Sequence, residues 1–154
     1  MEDLVIPEIK EVDGNSLPLS LLAIADPCED KIRKYLKNAI CFGAFTHGQI
    51  VAACVTNFNS ADEIEIYNLV VTPDYQGLGI GTILLTFVID EFKRRPVSKL
   101  VLGTGTFGYQ LTFYQRLGFR IESVDKNFFT RNYAAPIFEN GMQHHDMLRL
   151  ALCL

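Results

Sequence analysis

The chain has 154 residues, 49% of them hydrophobic and 21% charged, with a formal net charge of −4. That length points to a single domain, residues 1–154, long enough to bury a core, with the composition of a soluble globular protein. The acidic balance, with a sequence pI near 5.3, argues against a nucleic-acid or anionic-membrane partner.

The N-terminus, Met1-Glu-Asp-Leu-Val-Ile-Pro7, has no basic region and no long apolar core, so no signal peptide is expected and the setting reads as cytoplasmic. Ser16–Ala25 and Glu29–Asn38 are expected as helices; in the second, Ile32, Tyr35 and Leu36 recur at helical spacing. Ala39–Thr46 and Gln49–Asn57 are expected as strands joined by a His47-Gly48 hairpin turn. Glu63–Val71 is the next strand, followed by a Thr72-Pro73-Asp74 turn and a helix over Thr82–Arg95 that Pro96 stops. Its apolar stretch, Ile80–Ile89, is too short to cross a membrane. A strand over Lys99–Gly103, a short helix over Tyr109–Leu117 ended by Gly118, and a strand over Phe119–Val124 follow. Asp125–Gly141 is expected to be irregular and aromatic, and Met142–Cys153 to close the chain as a strand. Hairpin strands followed by β-α-β pieces define an α+β fold (α/β, three-layer). Its mixed, mainly antiparallel twisted sheet has about six to seven strands, flanked by helices.

Between the third strand and its helix lies Gln76-Gly-Leu-Gly-Ile-Gly81, with three glycines in five residues. A glycine-rich loop feeding a helix N-terminus is an anion site, because free N–H groups and the positive dipole end face the ligand and glycine admits a phosphate. The loop lacks the last glycine of a dinucleotide fingerprint, since position 82 is Thr82, and it lacks the Lys-Ser/Thr pair of a P-loop. A second pattern, Gly103-Thr-Gly-Thr-Phe-Gly108, does satisfy the dinucleotide spacing, with Glu122 near the end of the next strand. Only 46 residues follow Gly108, too few for the remaining units of a nucleotide-binding sheet, so this reading is set aside.

The first loop is similar to something better. Asn68-Leu-Val-Val-Thr-Pro-Asp-Tyr-Gln-Gly-Leu-Gly-Ile-Gly-Thr-Ile-Leu-Leu85 resembles the central block of the GNAT superfamily of acyl-CoA-dependent N-acetyltransferases. Phe113-Tyr-Gln-Arg-Leu-Gly-Phe119 resembles its second block, and Pro136–Gly141 is similar to a feature of some small bacterial members. Roughly Ala39–Val124 is covered. The resemblance implies that acetyl-CoA is the donor, held by the backbone of Gln76, Gly77, Leu78, Gly79, Ile80, Gly81 and Thr82, with Gln76 adding a side-chain contact. It places the backbone of Leu69, Val70 and Val71 along the donor. The N–H of Leu69 or Val70 would polarise the thioester oxygen, the family's strand being bulged there.

The same resemblance assigns Tyr114 as the acid that protonates the departing thiolate and as a donor contact. Phenol and thiol reference pKa values, about 10 and about 8.5, are close enough for that transfer. Packing on the core beside Leu111 and Leu117 is the alternative for Tyr114. Glu63, Glu65 and Tyr67 alternate and so share one face of their strand. Some members of the family carry a glutamate base on this strand, so the resemblance implies Glu63 or Glu65 as the base that deprotonates the acceptor amine, directly or through water; otherwise either is a solvated carboxylate or binds a cationic substrate. At the start of the short helix, where the family often carries asparagine, stands Phe107; Thr104, Thr106 or backbone would serve instead.

The implied function is an N-acetyltransferase moving the acetyl group of acetyl-CoA to a primary amine of a small molecule. No cysteine lies in either block, so direct attack in a ternary complex is expected. A catalytically inactive acyl-CoA-binding sensor or interaction module is the alternative. Cys28, Cys41, Cys54 and Cys153 show no metal or redox spacing and are expected to be reduced. His144 and His145, adjacent on a strand, would point to opposite faces, and no metal site is expected. Lys93-Arg94-Arg95 complements a helix C-terminus. For Phe128, Phe129 and Tyr133, acceptor-pocket wall, lid and subunit contact, the last implying a homodimer, stay open.

Overall fold

The computed structural model describes residues 6–154. Met1–Val5, on which part of the N-terminal reading rests, lie outside the described residues. In chain order the elements are β1 (Glu8–Val12), α1 (Leu19–Ala25), α2 (Glu29–Leu36), β2 (Ile40–Thr46), β3 (Gln49–Phe58), β4 (Glu63–Val71) and α3 (Ile80–Lys93). Then come β5 (Lys99–Gly105), α4 (Tyr109–Arg116), β6 (Arg120–Asp125), α5 (Phe128–Asn132), β7 (Phe138–Glu139), β8 (Met142–Gln143) and β9 (Met147–Cys153). Seven strands form one sheet in the order β1-β2-β3-β4-β5-β9-β6, in which only β4 and β5 run parallel; β7 and β8 make a separate hairpin. No helix among the described residues is long and apolar enough to cross a membrane.

Alternation along the strands feeds two cores. Phe42, Ile64, Leu100 and Leu102 pack with Leu84, Leu85, Val88 and Phe92 of α3 on one face. Cys41, Ala53 and Val55 pack with Leu21, Leu22 and Ile32 of α1 and α2 on the other. Residues one apart in β2, Cys41 and Phe42, therefore belong to opposite layers, as a pleated strand requires.

Five departures from the expected elements have local causes. β1 was not expected: it is an edge strand whose Glu8, Lys10 and Glu11 carry charges that suit an unpaired rim. The first helix begins at Leu19, not Ser16, because Pro18 is its N-cap and Gly14–Ser16 form a 3-10 turn whose Asn15 N–H is capped by Asp13 Oδ1 at 2.8 Å. The second helix ends at Leu36, and Asn38 stands in the left-handed region at φ 56°. The 125–141 stretch is more regular than expected. It holds α5 and half of a hairpin whose turn residues, Asn140 and Gly141, have φ 52° and 75°, the Asn-Gly turn that fits strand twist. The final strand breaks at His144–Asp146, where Asp146 Oδ1 accepts from Asn127 N at 2.8 Å and His144 N donates to Ile137 O at 2.8 Å.

Two irregularities in β4 position everything that follows. Its pairing with β5 covers only Glu63–Ile66 against Lys99–Leu102, although β4 runs on to Val71 and β5 to Gly105. The strands thus part, leaving the Leu69–Val71 end of β4 without a partner on that side. Opposite β3, Val55 pairs with Asn68 and Thr56 with Ile66, so Tyr67 is the extra residue of a β-bulge. The bulge changes which side chains face which layer: Ile64 and Ile66 pack toward α3, whereas Val70 packs toward α1.

Candidate active site

The glycine loop lies where the sequence places it. Gly77 and Gly79 adopt φ 77° and 82°, conformations that a side chain resists, and no atom lies within 4 Å of where either Cβ would stand. Gly79 is the N-cap of α3 and offers no side-chain cap, and the first helical bond is Ile83 N to Gly79 O at 3.1 Å. The N–H groups of the first turn are therefore left for a ligand. A cavity of about 300 Å³ opens over them, lined by Gln76, Gly77, Gly79, Ile80, Gly81 and Thr82, with Leu69, Val70 and Val71 of β4 and Tyr114 of α4. Leu78 is the loop residue that does not line it; its side chain is exposed at the tip. Gln76 Nε2 donates to Val71 O at 2.9 Å, tying the loop to the end of β4. A cleft open at a free helix N-terminus, floored by glycines and running along an unpaired strand edge, fits a pyrophosphate with an extended amide-bearing arm.

The bulge distinguishes Leu69 from Val70. Thr72 N donates to Val51 O of β3 at 2.8 Å, and N–H directions alternate along a strand. The N–H of Val70 therefore faces β3, while those of Leu69 and Val71 face the gap left by β5. The Val70 side chain is core, 4% exposed.

Tyr114 is buried in the core and reaches the donor cavity. Its ring packs edge-on against Phe113 and Phe119, with centroids 5.2 and 5.9 Å away, and it lines the donor cavity. Burial pushes its hydroxyl well above the usual phenol range, so it stays protonated. Its hydroxyl makes no hydrogen bond among the described residues.

A second cavity, of about 470 Å³, lies on the α1–α2 side of β4. Glu65 and Tyr67 line it from β4, Asp26 and Tyr35 from the helical layer, Arg149 from β9, and Phe128 and Tyr133 from the C-terminal segment. Phe129 packs instead against His144, centroids 5.4 Å apart. Glu63, Glu65 and Tyr67 do share a face, and Asn59 joins them: its Nδ2 donates to Glu63 Oε2 (3.1 Å) and Glu65 Oε1 (2.9 Å), and its Oδ1 accepts from Tyr67 OH (2.8 Å). Arg149 grips both oxygens of Glu65, at 2.8 and 3.2 Å. Burial opposes the Arg149 charge, but the bond to Glu65 holds its pKa up. Glu63 lies outside the cavity lining, beside Lys99 at 4.0 Å. Near neighbours in the chain line different cavities at two places: Tyr67 and Leu69, on either side of Asn68 at the bulge, and Asp26 and Ala25 at the end of α1.

Sequence reasoning missed Asp26, Asn59 and Arg149. Arg149 was findable, as a lone cation inside the apolar run Leu148–Leu152. Asp26 carried no signal because it meets Tyr133 107 residues away, and Asn59 because it meets Glu63, Glu65 and Tyr67 only once the turn before β4 has formed.

The second glycine pattern has a packing explanation. A Cβ at Gly103 would strike Met147, one at Gly105 the ring of His144, and one at Gly108 Glu139 Oε2 at 2.6 Å. These glycines make room for the C-terminal segment rather than for a pyrophosphate. Phe107, in the same loop, stacks on His144 with centroids 4.1 Å apart. His144 is buried and bonds Glu139 through Nε2 at 2.9 Å, while His145 is exposed. They point apart as expected, though from a loop rather than a strand. No group of three metal-ligating side chains occurs among the described residues. All four cysteines are free.

An α/β sheet splayed beside a bulged strand, with an anion loop at the mouth of the splay, defines an acyl-CoA-binding acyltransferase fold. Residues 15–119 match the sequence profile of the Acetyltransferase (GNAT) family, and the chain belongs to that family. It is 36% identical over 135 residues to the uncharacterized N-acetyltransferase YvbK of Bacillus subtilis, covering 87% of each chain. A GNAT family acetyltransferase from Elizabethkingia anophelis with acetyl-CoA bound superposes with a TM-score of 0.91, at 37% identity over 99% of this chain and 100% of that one. A Bacillus subtilis acetyltransferase in complex with CoA gives 0.89, at 33% identity over 97% and 99%.

Proposed function

We propose that the chain is an N-acetyltransferase that moves the acetyl group of acetyl-CoA to a primary amine of a small molecule by direct attack within a ternary complex. The observation that carries this reading is that the residues flanking the β4 bulge, Tyr67 and Leu69, line two different cavities, one over the glycine loop and one lined by Asp26, Glu65 and three tyrosines together with Lys31, Lys34 and Arg149. The N–H groups of the 76–82 loop hold the pyrophosphate. The Leu69 N–H, aimed into the gap, polarises the thioester carbonyl and stabilises the oxyanion as the amine attacks. When the tetrahedral adduct collapses, Tyr114 gives its proton to the sulfur. Both the phenol and a thiolate in this apolar pocket disfavour charge, so the transfer stays near balance.

The amine needs to lose a proton before it can attack. Glu65, with its oxygens engaged by Arg149 and Asn59, acts on that proton through water, and Glu63 extends the same network through Asn59. No cysteine lines either cavity among the described residues, which favours direct attack over an acyl-enzyme. A cavity of about 470 Å³ walled by Phe128 and Tyr133 favours a small acceptor. Four free thiols suit a reducing, cytoplasmic setting.

Thiol release from acetyl-CoA, measured with purified protein against a panel of small amines, tests the reading. Release stimulated by at least one amine is expected. Tight donor binding with no stimulation by any amine would instead favour an acyl-CoA-binding sensor.

A further inference from the structure

The last strand of the sheet is exposed along its whole length. β6 ends the order β1-β2-β3-β4-β5-β9-β6, so one of its backbone edges has no partner strand. None of its six residues is buried, and Ile121 and Val124 stand 49% and 51% exposed. An open edge offers unpaired N–H and C=O groups to a further strand.

A bulge sorts the β6 side chains into two sets. Opposite β9, Ile121 pairs with Leu150 and Ser123 with Arg149, so Glu122 is the extra residue. Ile121 and Val124, three apart, would lie on opposite faces of a regular strand. The bulge brings both to the face of their partners Leu150 and Leu148, which pack into the α3 core. Arg120, Ser123 and Asp125, paired with Ala151, Arg149 and Met147, take the other face. Glu122 joins them, its Oε1 2.6 Å from Lys99 Nζ. Lys99 pairs with Cys153, on the Arg149 face of β9.

This pattern is its own complement. A second β6 laid antiparallel, with a two-fold axis between Glu122 and Ser123, sets Ile121 against the partner's Val124 on the apolar face and Arg120 against the partner's Asp125 on the polar one. Arg120 forms no ion pair among the described residues, and Arg131 engages only Oδ1 of Asp125, leaving Oδ2 for it. Charges on an edge strand usually deter pairing. Here the cation and the acid stand at opposite ends, so they oppose a parallel pairing, in which like meets like, and favour the antiparallel one.

We propose that β6 docks on β6 of a second copy of this chain, joining two seven-stranded sheets into one continuous sheet. No β6 residue lines either cavity, so the dimer leaves the acetyltransferase reading untouched.

Sedimentation equilibrium of the whole chain at micromolar concentrations tests it. A species of twice the 17.3 kDa chain mass is expected. Val124→Lys should raise its dissociation constant at least about tenfold, as loss of a central contact warrants, while Phe138→Lys, at an exposed residue of β7, should not. In a Cys153→Ser background, which removes the exposed native thiol, Ile121→Cys combined with Val124→Cys should give a disulfide-linked dimer on oxidation, and neither single cysteine should. A monomeric wild type, a dimer indifferent to Val124→Lys, or one broken by Phe138→Lys would each overturn the proposal. So would cross-linking by either single cysteine as efficient as by the pair. The wild type and the cysteine pair decide the matter even where Val124→Lys does not fold.

Discussion

Tyr67 and Asn68 are consecutive residues of a β-strand, yet both reach Tyr35 on the same side of the sheet. The Tyr67 ring stacks on the Tyr35 ring, and Asn68 Nδ2 donates to Tyr35 OH at 3.0 Å and to Leu22 O at 2.9 Å. Only a bulge allows neighbours to share a face, and here the bulge also aims the Leu69 N–H into the gap beside β5. Asn68→Ala removes both buried bonds. It should lower stability by roughly 1–3 kcal/mol, read from denaturant midpoints, and raise the KM for acetyl-CoA as the strand relaxes. Unchanged stability would show that the bulge holds without Asn68.

Gly79→Glu puts a side chain at φ 82° and a negative charge at the helix N-terminus. Acetyl-CoA binding, followed by calorimetry, should be abolished while the fold persists by circular dichroism. Wild-type affinity would refute the anion-loop assignment.

Tyr114→Phe keeps the ring packed against Phe113 and Phe119 but removes the proton. Turnover should fall by about 10²–10⁴-fold, with acetyl-CoA affinity little changed. Near-normal turnover would reduce Tyr114 to a core residue.

Gly105→Ala drives a methyl group into the His144 ring, which is itself pinned between Phe107 and Glu139. The overpacking should cost roughly 1–3 kcal/mol, seen as a lowered unfolding midpoint. NAD(P) should not raise the wild type's melting temperature, whereas acetyl-CoA should; stabilisation by NAD(P) alone would reinstate the dinucleotide reading of this loop.

Alkaline pH should unfold the protein. Burial raises the folded-state pKa of Cys41 to about 11 and pushes Cys54, Tyr35, Tyr114 and Tyr133 above their ordinary ranges. The unfolded chain releases these protons first, from about pH 8.5 for thiols and about 10 for phenols. It then binds fewer protons than the native state, so stability falls as pH rises. Stability is fully present below those unfolded values and is lost progressively above them. Melting temperatures from pH 7 to 11 should decline through that window, and by less in Tyr114→Phe. A flat profile would contradict the burial of these groups.

The donor half of the site was legible in the chain because it is built from contiguous backbone. A strand, a turn, three glycines and a helix start are neighbours in sequence, and their chemistry lies in N–H groups that any residue supplies once glycine permits the approach. Tyr114 was legible for a similar reason, through the local Tyr-x-x-x-Gly-Phe pattern that ends α4. The short edge strand β1 escaped because its charges mask the alternation. The hairpin at Asn140-Gly141 was announced by its turn dipeptide, but its strands are two residues each, too short for any period.

The acceptor half was not legible. Asp26 meets Tyr35 across 9 residues and Tyr133 across 107, and Glu65 meets Arg149 across 84. Such pairs exist only once β9 has inserted beside β5 and α5 has folded over the cavity. Glu63 and Glu65 could be placed on one face by alternation alone, but which of them lines the cavity and which cation holds it depend on strand order. By itself the sequence determined the donor and the class of chemistry, since both reside in local backbone geometry. Tertiary structure alone decided which N–H groups face the gap beside β5, what the second glycine run makes room for, and that Glu65 rather than Glu63 pairs with Arg149, because each depends on contacts between distant segments.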